Sequence, residues 1–104
     1  MVLAAMSYAA AKDLPKAETF GLAIQIRRAA VSVPSNIAEG HQLPRAAYRH
    51  HVSLALGSLA QLQTQVELAR RTGLLKGEAA GDLQRQSDPV RQMLVRLRTA
   101  LRPG

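Results

Sequence analysis

The sequence predicts an all-α fold: an antiparallel up-down four-helix bundle with a short first helix. Three observations carry that prediction. Apolar residues recur at three- and four-residue steps almost from end to end, and no alternating run flanked by turn residues argues for a strand. The chain is 47% hydrophobic but only 3% aromatic, so its core must be drawn above all from Ala and Leu, which favour helix. The links between periodic segments are short, as antiparallel bundles require. With 104 residues and 11.2 kDa, one domain spanning residues 1–104 is expected.

The first helix is predicted over Val2 to Lys12, with Leu3, Met6 and Ala10 on one apolar face. It should stop before Asp13-Leu14-Pro15, because a residue preceding proline is pushed out of helical geometry. The second helix is expected to start near Lys16 to Glu18, where an early carboxylate complements the positive end of the helix dipole. Leu22, Ile26, Ala29, Val33 and Ile37 then form its buried stripe. Pro34 interrupts that stripe and leaves the Ala30 carbonyl without its amide partner. Either the helix breaks there, with Asn36 and Glu39 opening a new one as a capping box, or one kinked helix continues to Gly40. Ile37 stays on the apolar face after the proline, which favours continuation.

The third helix should begin at Pro44 or Arg45, since proline is tolerated in a first turn. Tyr48, Val52, Ala55, Leu59, Leu62, Val66 and Ala69 step by four and three in alternation, a heptad seam for packing against other helices. Arg70 and Arg71 occupy its last turn and Gly73 follows, as C-terminal preferences expect. Leu74 to Gly77 make the last link. The fourth helix is predicted from about Glu78 to Leu101, with Leu83, Val90, Leu94, Leu97 and Leu101 facing inward. Pro89 predicts a bend near Ser87 and Asp88, or a later start. The first helix has barely three turns against about seven in the third, at ~3.6 residues each, so one flank is left uncovered. Either the natural start lies upstream of Met1 or a neighbouring subunit covers the flank, and the second alternative predicts a homo-oligomer.

Composition also sets functional bounds. Lys and Arg total 14 and Asp and Glu total 7, a net charge of +7. Eleven of the cations are Arg, whose planar fork suits phosphate and acidic partners. Three aromatic residues, Tyr8, Phe20 and Tyr48, are too few for base-stacking platforms, so any nucleic-acid binding should run through backbone phosphates. No cysteine is present, which excludes disulfides, thiol nucleophiles and cysteine-ligated metals. The longest apolar stretch, Val2 to Ala11, is far short of the ~20 residues of a membrane span. No cation precedes it, so it reads as a first helix rather than a signal peptide. A cytoplasmic location is expected.

No phosphate-cradling glycine loop, nucleophile elbow or zinc-binding histidine pair occurs. His50 and His51 are adjacent and point about 100° apart on a helix, and His41 beside Glu39 gives only a thin case for a metal or acid–base site. No catalytic residue, metal or cofactor is expected, and the chain is not expected to be an enzyme. Gln25, Arg28, Ser32, Ser35 and Glu39, with Asn36 adjoining, form a polar line beside the apolar stripe of the second helix. Small Gly57 and Ser58 on the third helix would let another backbone approach, so Ser58, Gln61 and Gln65 are the expected partners of that line. The expected structural network is Arg28, Ser32, Ser35, Asn36, Glu39 and Ser58. Basic residues collect at Arg27 and Arg28, at Arg45 and Arg49 with the two histidines, and at Arg91, Arg96, Arg98 and Arg102. Of these, Arg27, Arg45, Arg49, Arg91, Arg98 and Arg102 are the candidate nucleic-acid contacts, the last face being set by seven- and four-residue steps.

Phe20-Gly21-Leu22, the run Gln25-Ile26-Arg27-Arg28-Ala29-Ala30-Val31-Ser32-Val33-Pro34-Ser35-Asn36-Ile37-Ala38-Glu39-Gly40, and Ala55-Leu56-Gly57-Ser58-Leu59 with Leu62 resemble the four-helix-bundle proteins encoded in 23S ribosomal RNA intervening sequences. The resemblance spans Leu14 to Leu101. It implies a homo-oligomer, a ring of five, and a second helix that runs through its proline. Related proteins include the accessory variability proteins of diversity-generating retroelements, positively charged pentamers that bind nucleic acid and a reverse transcriptase and are not known as enzymes. By that resemblance the expected function is a non-enzymatic basic bundle that binds RNA or DNA through Arg-rich surfaces. The alternative is a protein-interaction scaffold for a reverse transcriptase or another partner. The sequence departs from the family pattern at its start, where a longer, aromatic-rich first helix is expected, and at Pro89.

Overall fold

The computed structural model describes residues 2–12 and 21–103. Four helices and no strand are found among them: α1 Val2–Lys12, α2 Leu22–His41, α3 Arg45–Arg71 and α4 Gly77–Ala100. The expected stop of α1 at Asp13-Leu14-Pro15, the expected start of α2 near Lys16 to Glu18, and Phe20 lie outside the described residues. α2 packs on α3, α3 on α4, and α1 on both α2 and α4. At ~1.5 Å rise per residue, α1 is about 16 Å long and α3 about 40 Å, within a body of 48 × 23 × 18 Å.

The heptad seam of α3 is buried from Val52 onward, Val52, Ala55, Leu59, Leu62, Val66 and Ala69 all being shielded from solvent, while Tyr48 at its start is half-buried against the core. Ile26, Ala29 and Val33 of α2 and Leu83 and Leu94 of α4 close on it. Burying one such aliphatic side chain contributes ~1.5–3 kcal/mol, so the seam is the principal source of cohesion. Two serines lie inside this core. Ser7 Oγ donates to the Leu3 carbonyl and Ser87 Oγ to the Leu83 carbonyl, both at 2.8 Å. A hydroxyl that bonds back one turn needs no other partner, so each serine packs as a small core residue. Ala80 and Ser87 thereby complete the inward face of α4, at three- and four-residue steps from Ala80 to Leu101.

Both internal prolines are accommodated within helices. α2 continues through Pro34 and α4 through Pro89, so α2 does not break at Asn36 and α4 does not begin late. Core residues on both sides of each proline, Val33 with Ile37 and Leu83 with Leu94, hold the two halves to α3. That tertiary packing outweighs the loss of one backbone hydrogen bond per proline.

The end of α3 follows the pattern written in its sequence. Gly73 adopts φ 76°, which glycine reaches without side-chain strain. Its N–H donates to the Arg70 carbonyl and the Leu74 N–H to the Ala69 carbonyl, the paired bonds of a Schellman cap. α4 starts at Gly77, with Lys76 as its N-cap residue in extended conformation.

Candidate functional site

α2 and α3 are stitched together along the polar line that flanks their apolar contact. Ser32 and Ser58 share a hydroxyl–hydroxyl bond of 2.6 Å. Asn36 Nδ2 donates to the Ser32 carbonyl at 2.9 Å and to Ser32 Oγ at 3.1 Å. Asn36 Oδ1 lies 3.0 Å from His51 Nδ1, and Glu39 Oε2 lies 3.9 Å from the same nitrogen. Of the expected network, Ser32, Asn36 and Ser58 therefore meet directly, and Glu39 joins at longer range. His51 is the residue that sequence reasoning missed. Ser35 is exposed and makes no hydrogen bond among the described residues. Arg28, Gln25, Ser32, Ser58, Gln61 and Gln65 line an open groove of about 380 Å³ beside the network, where Gln65 Oε1 is buried without a partner among the described residues.

Glu39 lies nearest His51, and the His41 ring packs edge-on to Tyr48 with centroids 5.7 Å apart, so the pairing of His41 with Glu39, set aside as a thin case, is not formed among the described residues. One expectation about this region is corrected. Gly57 is not where the backbones converge, because a Cβ there would meet nothing within 4 Å. The close approach is at Gly40, where a Cβ would lie 2.8 Å from His51 Cβ and 2.9 Å from Tyr48 Cδ1. Gly57 sits one residue from inward-reaching Ser58, hence about 100° around the helix and facing outward.

The charged residues are sorted along the long axis. Arg45 Nη2 donates to the Ala100 carbonyl at 2.5 Å and reaches the Arg102 carbonyl at 3.4 Å, which places the start of α3 beside the end of α4. The Gly40 contacts with Tyr48 and His51 bring the end of α2 to the same place. Arg45, Arg49, Arg96, Arg98 and Arg102 are thus gathered there with His41, His50 and His51. Among the described residues Glu39 is the one carboxylate at that end. At the opposite end Glu67 holds Arg70 and Arg71 and Asp82 pairs with Arg85. The two guanidiniums hydrogen-bonded to it hold the Glu67 carboxyl down from 4.5 to about 2.

Of the remaining candidates, Arg91 lies midway along α4, 3.8 Å from Asp88 Oδ1. Arg27 is half-buried in a groove of about 360 Å³ with Tyr8, Ile24, Arg28, Val31 and Ser32. Arg98 is half-buried, and Arg102 is exposed just past α4. The structure therefore joins Arg45, Arg49, Arg98 and Arg102 at one end and leaves Arg27 and Arg91 apart from them. Among the described residues no group of three or more His, Asp or Glu side chains is placed to hold a metal ion, and no helix is long and apolar enough to cross a membrane.

A family model described as 23S rRNA-intervening sequence protein matches residues 1–96. No curated protein matches the chain.

Proposed function

Because the chain belongs to the 23S rRNA-intervening sequence protein family, we propose that it is a non-enzymatic, homo-oligomeric bundle that binds the backbone of RNA or DNA through its arginine-bearing end. The observation that carries this reading is the sorting of charge: five arginines and three histidines against one carboxylate at one end of the described chain. Guanidiniums without a carboxylate partner among the described residues, held on a rigid helical scaffold, form a positive field that attracts phosphates at long range. They demand no base stacking, in keeping with the scarcity of aromatic rings.

The proposed architecture is the antiparallel up-down bundle. Partners 32–58 and 36–51 between α2 and α3, and 45–100 and 63–84 between α3 and α4, run in opposite numerical directions, which supports it. The proposed assembly is a ring of five. Its support is the exposed apolar side chains Val31, Leu54, Leu68, Met93 and Val95, which a neighbouring subunit would cover. Sedimentation at five times 11.2 kDa is the expected result, and a monomer at micromolar concentration would remove this part of the reading.

Binding is tested by titrating duplex RNA, duplex DNA and single strands across a salt series. Phosphate-driven affinity falls linearly in log–log form, with a slope of roughly −0.9 per phosphate neutralised on duplex DNA. Replacing Arg96, Arg98 and Arg102 by Glu should abolish binding. The same change at Arg70, Arg71 and Arg85, already held by carboxylates, should weaken it much less. No binding by the parent protein at low salt, or equal loss in both triple variants, refutes the reading. A pull-down of protein partners that survives nuclease treatment would favour the scaffold alternative, for which the Tyr8, Ile24 and Val31 groove is the supporting surface.

A further inference from the structure

The basic end contains a cavity of about 300 Å³ lined by Arg45, Ala46, Arg49, Leu101 and Pro103. Arg45 and Arg49 are four residues apart and share one face of α3, yet their donors are used differently. Arg45 is engaged with the Ala100 and Arg102 carbonyls, groups that the end of α4 leaves without helical partners. Arg49 is not: its Nε is sealed from solvent and has no hydrogen-bond partner among the described residues. A buried donor without an acceptor is unfavourable, and more so on a charged group. While sealed, Nε is beyond a ligand's reach, so an anion in the cavity engages the terminal nitrogens of the half-buried Arg49 side chain, for which no hydrogen bond is formed among the described residues either.

The other walls indicate the shape of that anion. Ala46, Leu101 and Pro103 are apolar, and no carboxylate among the described residues lines the cavity. Its volume is about ten times the ~30 Å³ of one liquid water, more than a bare phosphate group fills. Leu101 and Pro103 lie past Ala100, the last residue of α4, and the bonds from Leu101 N–H to the Leu97 carbonyl and from Arg102 N–H to the Thr99 carbonyl tie this wall to the helix. A charged fork beside an apolar wall suits a phosphate that carries an organic group.

We propose that this cavity is a nucleotide subsite, in which the Arg49 guanidinium takes one phosphate bidentately while the attached sugar rests on Leu101 and Pro103. The proposal rests on the nucleic-acid reading above and deepens it by naming the residue that makes the directional contact. The phosphate is either an internal phosphodiester or a strand terminus, and the two are separated by experiment. Arg45 acts as the fixed wall and Arg49 as the reader.

Arg49→Lys keeps the charge and removes the fork. In the full-length protein it should weaken binding of a labelled 20-nucleotide strand by tenfold or more, with the melting temperature and the salt slope preserved. Arg85→Lys, at the opposite end and paired with Asp82, should change affinity less than twofold. If a 5′-phosphate strengthens binding to the parent protein and Arg49→Lys removes that gain, the phosphate is terminal. If Arg49→Lys weakens phosphorylated and unphosphorylated strands equally, it is internal. Arg49→Lys binding both strands as the parent does overturns the proposal.

Inorganic phosphate provides a second readout that needs no oligonucleotide. Titrated into nitrogen-15-labelled parent protein, it should shift the Arg49 Nε–H resonance ahead of the other arginines. If that shift occurs while no strand binds at low salt, the nucleic-acid reading falls and the phosphate site stands. If the resonance stays still, the subsite is wrong even where strands bind.

Discussion

The junction of α2 and α3 makes a sharp prediction at Gly40. In an open helix, Gly→Ala gains ~0.8–1.0 kcal/mol because alanine loses less backbone entropy. At Gly40 the added Cβ would sit 2.8 Å from His51 Cβ and 2.9 Å from Tyr48 Cδ1. The Tyr48 ring can turn away, but His51 Cβ is fixed to the α3 backbone. Relief therefore requires the two helices to part by several tenths of an ångström, which strains the 3.0 Å bond between Asn36 and His51. Inserting a methyl into a packed contact costs ~1–3 kcal/mol, and two contacts below 3.0 Å place this case at the upper end. Net of the helix gain, Gly40→Ala should destabilise by about 2 kcal/mol. At about 4–5 °C per kcal/mol for a domain of this size, the melting temperature should fall by roughly 8–10 °C. Gly57→Ala is the control, since its Cβ meets nothing within 4 Å, and it should raise stability by up to ~1 kcal/mol. Urea unfolding with unchanged slope measures both. Gly40→Ala at or above the parent's stability would refute the close approach.

Three further outcomes follow from the same geometry. The Glu67 carboxyl is held at about 2 by hydrogen bonds from Arg70 and Arg71. A depressed folded value means that its contribution is fully present above pH 4.5 and lost as pH falls through about 2. The melting-temperature difference between the parent and Glu67→Gln should thus shrink steadily over that window. Ser32→Ala should cost ~1 kcal/mol by leaving Ser58 and Asn36 short of partners. Ser32→Ala with Ser58→Ala should cost less than the sum of the two, and additivity in urea melts would argue against a shared bond. Arg45→Ala frees the Ala100 carbonyl, so amide exchange in the last turn of α4 should quicken while the α3 amides stay protected. Uniform exchange across both helices would count against that anchor.

How much was legible differs between helices for physical reasons. The α3 seam could be read whole because every one of its buried positions from Val52 to Ala69 is aliphatic, leaving the period unbroken. The α4 seam was read with gaps because Ala80 and Ser87 carry no strong hydrophobic signal. A serine at a heptad position, with a carbonyl one turn back, is the clue that would have filled the gap, and Ser7 repeats it in α1. The polar network was half legible. Its α2 members share a face by spacing alone, but His51 depends on the register between α2 and α3. Once Ser32 is set against Ser58, Asn36 falls within about a turn of His51, so the missing signal was pairing rather than periodicity. Glycine misled in the same way: smallness marks a permitted approach, and only the face on which a glycine lies tells whether anything approaches.

The sorting of charge could not be read from residue order, because the basic residues come from positions 41–51 and 96–102 and meet only when α3 and α4 lie side by side. That arrangement bears on the proposed ring. In a cyclic assembly every copy is related by rotation about one axis, so if the bundles stand along it, all the basic ends lie on one rim. A two-fold axis perpendicular to the bundles would instead divide them between opposite faces. The ends that carry Glu67 and Asp82 remain compensated by their own ion pairs in either case. A single basic rim concentrates the excess charge where a continuous phosphate backbone can follow it, and the Arg49 cavity, repeated around it at intervals set by the 23 × 18 Å cross-section of the bundle, would engage phosphates several nucleotides apart on one strand.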